Sequence, residues 1–186
     1  MRKVTCSMGV SLDGFFVDAD GGLDWSAPSE EVFRSSMDEV RGVGIHLLGR
    51  RLYEAMRYWE TVDPATLGEA ELEWRELWIA LPKLVFSRTL TEVEGSHKLA
   101  TGTLAEEVAR LRAEDAPGDI AIGGPDLLAH AAALDLVDEY KVRIYPVLLG
   151  AGRPLFPHDG RKVDLELLEA RTFDNGVVRL HQRVVR

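Results

Sequence analysis

Short apolar runs that stop at a glycine or small polar residue, each followed by a helix-patterned stretch, constrain this chain's fold more than any other feature. Residues 43–48 end at Gly49, before a helical stretch over 51–58. Residues 82–86 end at Ser87-Arg88, and a helical stretch over 104–111 comes next. Residues 119–122 stop at Gly123-Gly124, and Pro125 suits the first turn of a helix over 126–134. Strands that are apolar on both sides and alternate with helices call for helices on both faces of a mostly parallel sheet, an α/β layer fold.

The two ends of the chain frame this core. Residues 4–12 alternate like a strand and end at Asp13-Gly14. A glycine- and aspartate-rich loop over 14–25 carries Phe15, Phe16 and Trp25, too much aromatic surface to be wholly solvated. Pro28-Ser29-Glu30-Glu31 reads as a helix start with Ser29 as cap, the helix running to about Val40. A further helix is expected over 69–79 and a strand over 137–145. A proline- and glycine-broken connection over 146–154 comes next. Strand-like runs over 163–173 and 177–185 flank Asp174-Asn175-Gly176, the strongest short hairpin signal, so the sheet should finish antiparallel. At 186 residues, against roughly 150 per domain, the chain reads as a single domain over 1–186.

Charge and cysteine count exclude several classes. The formal net charge is −9, with 31 acidic and 22 basic residues, which gives no footprint for general nucleic-acid binding. The single cysteine, Cys6, lies in the first strand and makes neither an intramolecular disulfide nor a cysteine-based zinc site. The five histidines (His46, His97, His130, His158, His181) are scattered without metal spacing, so no metal is expected. No apolar run approaches the roughly 18 residues of a membrane span, and no targeting segment is visible; a cytoplasmic protein is expected. There is no G-x-G-x-x-G after a strand, no P-loop and no G-x-S-x-G elbow.

What remains is an edge of strand ends. In open parallel sheets ligands sit beyond the carboxyl ends of the strands, where helix N-termini meet anions. Gly123 and Gly124 remove side chains that would hold a pyrophosphate off the backbone, although a diglycine also makes a tight turn. Arg50, Arg51 and Arg88 supply cationic forks for a terminal phosphate, or are solvated surface groups. Together they point to an anionic ligand.

The blocks Ser11-Leu12-Asp13-Gly14, Leu47-Leu48-Gly49-Arg50-Arg51, Phe86-Ser87-Arg88, Ile122-Gly123-Gly124-Pro125 and Pro146-Val147-Leu148-Leu149-Gly150 stand in an order that resembles the dihydrofolate-reductase-like superfamily. More narrowly, the chain resembles the C-terminal domain of the riboflavin-biosynthesis reductase, in its stand-alone form. The resemblance implies a three-layer α/β/α fold, a mostly parallel central sheet with an antiparallel C-terminal hairpin, and NADPH as hydride donor. It places Gly49, Arg50 and Arg51 near the cofactor phosphates, Ser87 and Arg88 near the adenosine 2′-phosphate, and Gly123, Gly124 and Pro125 at the pyrophosphate. The loop over 13–25 corresponds to a flap covering the nicotinamide, with Phe15 and Trp25 either lining it or packing in the core.

Glu30 falls closest to the helix acid that binds pterin in dihydrofolate reductase; acids at a helix start also complement the helix dipole. Phe15 replaces the lysine that follows Ser-Leu-Asp-Gly in the riboflavin reductase, a departure in the substrate half. The expectation is an NADPH-dependent reductase acting on a small pteridine-, pyrimidine- or carbonyl-type substrate, with Asp13 and Glu30 as proton donors or substrate anchors. A non-catalytic binder of a nucleotide or small aromatic ligand is the alternative on the same fold. A homodimer through the apolar stretch 144–156 is also expected, that stretch otherwise capping the sheet edge.

Overall fold

The computed structural model describes residues 1–156 and 159–186; His158 lies outside the described residues. The strands are β1 (Val4–Ser11), β2 (Phe15–Val17), β3 (Val43–Gly49), β4 (Lys83–Phe86), β5 (His97–Leu99), β6 (Asp119–Gly123), β7 (Glu139–Tyr145), β8 (Arg153–Pro154), β9 (Leu165–Thr172) and β10 (Val178–Val184). The helices are α1 (Glu30–Arg41), α2 (Arg50–Met56), α3 (Tyr58–Thr61), α4 (Glu69–Ala80), α5 (Leu104–Ala113) and α6 (Pro125–Ala133).

Eight strands make one sheet in the order β5-β4-β3-β6-β1-β7-β10-β9. β5 through β7 are parallel, whereas β10 runs antiparallel to both β7 and β9. Register follows from alternation in β1. Val4, Cys6, Met8 and Val10 face a core shared with Val108 and Leu111 of α5 and Leu128 of α6. Ser7, one residue out of phase, donates to Glu39 of α1 on the opposite face. Glu39 also accepts from Arg143 of β7 and Arg179 of β10 at 3.0 Å each, which fastens α1 to the sheet. A second core on that side joins Leu48 and Val85 of β3 and β4 to Tyr53 and Trp78. The result is the three-layer α/β/α architecture, with the antiparallel hairpin at one edge.

Local signals place most boundaries. The Ser29 side chain accepts from Val32 N–H at the start of α1, and Pro125 sits at the start of α6. Asn175-Gly176 turns β9 into β10, with Gly176 at φ +80°. The helix expected over 51–58 is instead two, broken at Arg57. The break turns Trp59 toward Trp74 of α4, ring centroids 6.2 Å apart. The loop over 14–25 contains β2, which pairs antiparallel with β8 in a separate two-stranded ribbon. β2, β5 and β8 are two or three residues long, too short for periodicity to reveal.

Candidate functional site

Neighbouring parallel strands β4, β3 and β6 end on the same edge of the sheet, so Ser87, Gly49 and Gly124 are brought together. A cleft of about 1060 Å³ opens there, a volume suited to a large organic ligand. Phe16, Val17 and Leu23 from the 14–25 loop form an apolar wall, opposed by Leu52, Phe86 and Leu127.

Each strand end contributes differently. Gly49 is the N-cap of α2 and supplies no capping side chain, which leaves Arg50 and Arg51 projecting from the first turn at the cleft. Ser87 Oγ accepts from the N–H groups of Thr89 (3.1 Å) and Leu90 (3.0 Å), a local turn that presents Arg88 to the cleft. Arg50 Nη1 donates to Thr89 Oγ1 at 3.2 Å and joins the β3 and β4 ends. Gly124, at φ +93°, bends the chain into α6, a conformation that glycine adopts at little cost. That helix start also lacks a side-chain cap, so its first N–H groups and its positive dipole end face the cleft. The α5 start on the same wall differs: Thr103 and Glu106 cap it reciprocally, and the Thr103 backbone and hydroxyl hold the Glu106 carboxyl below its ordinary pKa. α5 is therefore wall, and α6 is the anion-ready terminus.

The electrostatics run against the chain's overall charge. Arg50, Arg51, Arg88 and Arg153 line the cleft, and Asp126 is the one acid among its described lining residues. Arg50 lies 3.7 Å from Glu54, and Arg153 pairs with Asp126. Arg51 and Arg88 make no ion pair among the described residues.

Seven of the residues singled out in the sequence thus meet: Gly49, Arg50, Arg51, Ser87, Arg88, Gly124 and Pro125. Gly123 does not line the cleft. A Cβ on it would lie 2.4 Å from Leu52 Cδ2 and 2.8 Å from His46 Nε2, so its missing side chain admits protein rather than ligand.

Asp13, Glu30, Phe15 and Trp25 also lie outside the cleft lining. The Asp13 carboxylate accepts from Ser11 Oγ (2.6 Å) and from the N–H groups of Gly150 (2.8 Å) and Leu149 (3.2 Å). These bonds, the Ser11 hydroxyl foremost, hold its pKa below the ordinary carboxylate value, so it stays ionised and ties the β1 end to the β7–β8 connection. Glu30 is exposed and pairs with Arg34 one turn along α1. Its neighbour Glu31 binds Arg171 and the Asp174 N–H, which clamps α1 to the hairpin. Phe15 pairs with Pro154, leaving Phe16 to face the cleft. Trp25 meets Tyr145 edge-on at 5.7 Å beside Val32, Phe173 and Val177, a packing role.

Arg153, Asp126 and His130 line the cleft and were not singled out for it. Only the arginine left a trace, as a cation inside the glycine-rich Gly150-Ala151-Gly152-Arg153 run.

Residues 2–179 match the family model described as the RibD C-terminal domain. The chain belongs to the RibD C-terminal domain family. A relative, the uncharacterized protein YyaP of Bacillus subtilis (strain 168), is 31% identical over 182 residues, covering 96% of this chain and 93% of YyaP. A Shewanella sp. PV-4 protein whose name links it to riboflavin biosynthesis has the same fold, with TM-score 0.80, 24% identity and full coverage of both chains. So does a Thermotoga maritima diaminohydroxyphosphoribosylaminopyrimidine deaminase/5-amino-6-(5-phosphoribosylamino)uracil reductase (TM-score 0.68, 16% identity). That match covers 99% of this chain and 57% of the bifunctional protein. In this RibD C-terminal domain the strand-end cleft is thus set in a reductase-type fold. Among the described residues no group of three or more histidines, cysteines and acids is disposed to hold a metal ion, and no helix is long and apolar enough to cross a membrane.

Proposed function

We propose that this RibD C-terminal domain protein is an NADPH-dependent reductase acting on a small pteridine-, pyrimidine- or carbonyl-type substrate. One observation carries the reading. In a chain of net charge −9, the α6 start without a side-chain cap converges on one cleft with Arg51 and Arg88, which make no ion pair among the described residues. That donor set suits a ligand with several phosphates.

The residues fit such a cofactor. The α6 N–H groups beyond Gly124 and Pro125 would hold its diphosphate, and Arg51 and Arg88 its 2′-phosphate. Bound NADPH supplies a hydride from C4 of its nicotinamide. The chain's part is positioning and water exclusion. Phe16, Val17 and Leu23 wall the cleft with apolar surface, which lowers the local dielectric around the reacting groups. Asp13 is engaged in loop bonds, Glu30 pairs with Arg34, and neither lines the cleft, so proton delivery through either is no part of this reading.

Calorimetry with NADPH and NADH tests the cofactor, and steady oxidation of NADPH with pterins, uracils and quinones tests turnover. Binding of NADPH no tighter than NADH overturns the assignment. Tight binding without oxidation of any substrate favours the ligand-binding alternative. A homodimer through the stretch 144–156 belongs to the same reading, for Leu148 and Phe156 in it stay exposed, and β9 at the sheet edge is exposed along its whole length. Light scattering at micromolar concentration decides it, a monomer mass counting against.

A further inference from the structure

The β2–β8 ribbon reaches the cleft from the flap side. Val17 of β2 lines the cleft wall and pairs with Arg153 of β8. The ribbon's base is held by the buried Leu155, whose N–H donates to the Gly14 carbonyl at 3.1 Å. From this ribbon the Arg153 guanidinium crosses the cleft mouth to the carboxylate of Asp126, in the first turn of α6.

Three facts set Asp126 apart. It is the one acid among the described residues lining the cleft. Its side chain is 72% exposed, so the pair with Arg153 contributes little to folding. And it places a negative charge in the first turn of the uncapped helix, beside the N–H groups and dipole that favour an anionic ligand. An acid in that position opposes the binding of another anion, unless it first serves as that anion's substitute.

We infer that Arg153 is a diphosphate-binding residue held in place by Asp126 until a ligand arrives, and that the arginine then exchanges one anion for the other. This rests on the reading of the cleft as a site for a phosphorylated cofactor. An exposed ion pair is weak, whereas a guanidinium fork on a diphosphate makes parallel charge-assisted bonds, so the exchange runs toward the ligand. Because Arg153 and Val17 are cross-strand neighbours, the exchange also moves with the apolar wall that β2 carries. Asp126 thereby keeps the ribbon near α6 while lowering affinity for anions that cannot displace it.

The test is a double-mutant cycle of Asp126→Asn, Arg153→Gln and the pair, titrated calorimetrically with NADPH and, separately, with inorganic pyrophosphate. Arg153→Lys serves as the conservative control, and circular dichroism verifies folding. Asp126→Asn should bind both ligands about three- to tenfold more tightly. Arg153→Gln should bind them about tenfold or more weakly, with partial recovery in Arg153→Lys. In the Arg153→Gln background, Asp126→Asn should gain less than it does alone. If wild type binds NADPH and Asp126→Asn binds it no better, or folded Arg153→Gln binds it equally well, the exchange is refuted while the cofactor reading stands. If wild type binds pyrophosphate but not NADPH, the cofactor reading is what fails, and the pyrophosphate cycle still decides the exchange.

Discussion

Gly152 crosses Val17 so closely that a Cβ at position 152 would lie 2.1 Å from the Val17 carbonyl oxygen. Its φ of +145° falls where side chains are strained in any case. This crossing lets β8 lie against β2 and aims the next residue, Arg153, at α6. Gly152→Ala should cost about 1–3 kcal/mol in stability. Because the backbone must shift, it should also weaken NADPH binding, read as a lower melting temperature and a higher dissociation constant.

Gly123→Ala differs, because the clash is with side chains. The new methyl would press on Leu52 and His46, and overpacking of this kind costs about 1–3 kcal/mol. Leu52 lines the cleft, so ligand affinity should fall with stability. A variant of undiminished stability would show that the neighbours yield freely.

His46 makes the protein acid-sensitive. Burial, with the nearby Lys83 charge adding to it, lowers its pKa to about 4 from an ordinary value near 6.5. The unfolded chain therefore takes up this proton at a higher pH than the folded one. The stabilisation is complete above about pH 6.5 and is lost as pH falls through about 4. A shift of this size corresponds to roughly 3 kcal/mol as an upper bound. His97, also lowered chiefly by burial, acts in the same direction. In denaturation at pH 7 and pH 4.5, His46→Gln should lose less stability between the two than wild type does.

Arg51 and Arg88 should decide between NADPH and NADH. Replacing either with Gln removes a charge-assisted contact worth about 1.5–3 kcal/mol to the 2′-phosphate, roughly a ten- to hundredfold loss for NADPH. NADH affinity should barely change. Equal losses for both nucleotides would move these arginines to another part of the ligand.

Asp13→Asn separates a structural role from a chemical one. Its carboxylate joins Ser11 to the Leu149 and Gly150 N–H groups outside the cleft lining, so the variant should melt earlier yet retain NADPH affinity and turnover. Loss of turnover in a folded variant with intact NADPH binding would return Asp13 to the chemistry.

The sequence alone determined the elements whose signals are local: the Ser29 cap, Pro125 at the start of α6, the Asn175-Gly176 hairpin and the alternation in β1. It also placed Gly49, Ser87 and Gly124 on one edge of the sheet, and the order β4-β3-β6 then made them neighbours. Parallel strands joined through helices must end on one edge, whatever their order. Only the tertiary structure decided which polar groups remain open to a ligand. Asp13 finds its partners 136 and 137 residues away, Glu31 finds Arg171 at 140, and Arg153 reaches back 27 to Asp126. Such pairings depend on the order β6-β1-β7-β10-β9 and on how each loop leaves its strand, which residue spacing does not encode. The diglycine shows the division within two residues. Gly124 lines the cleft at φ +93°, and Gly123, the last residue of β6, makes room for His46 and Leu52, a difference that only the surrounding side chains set.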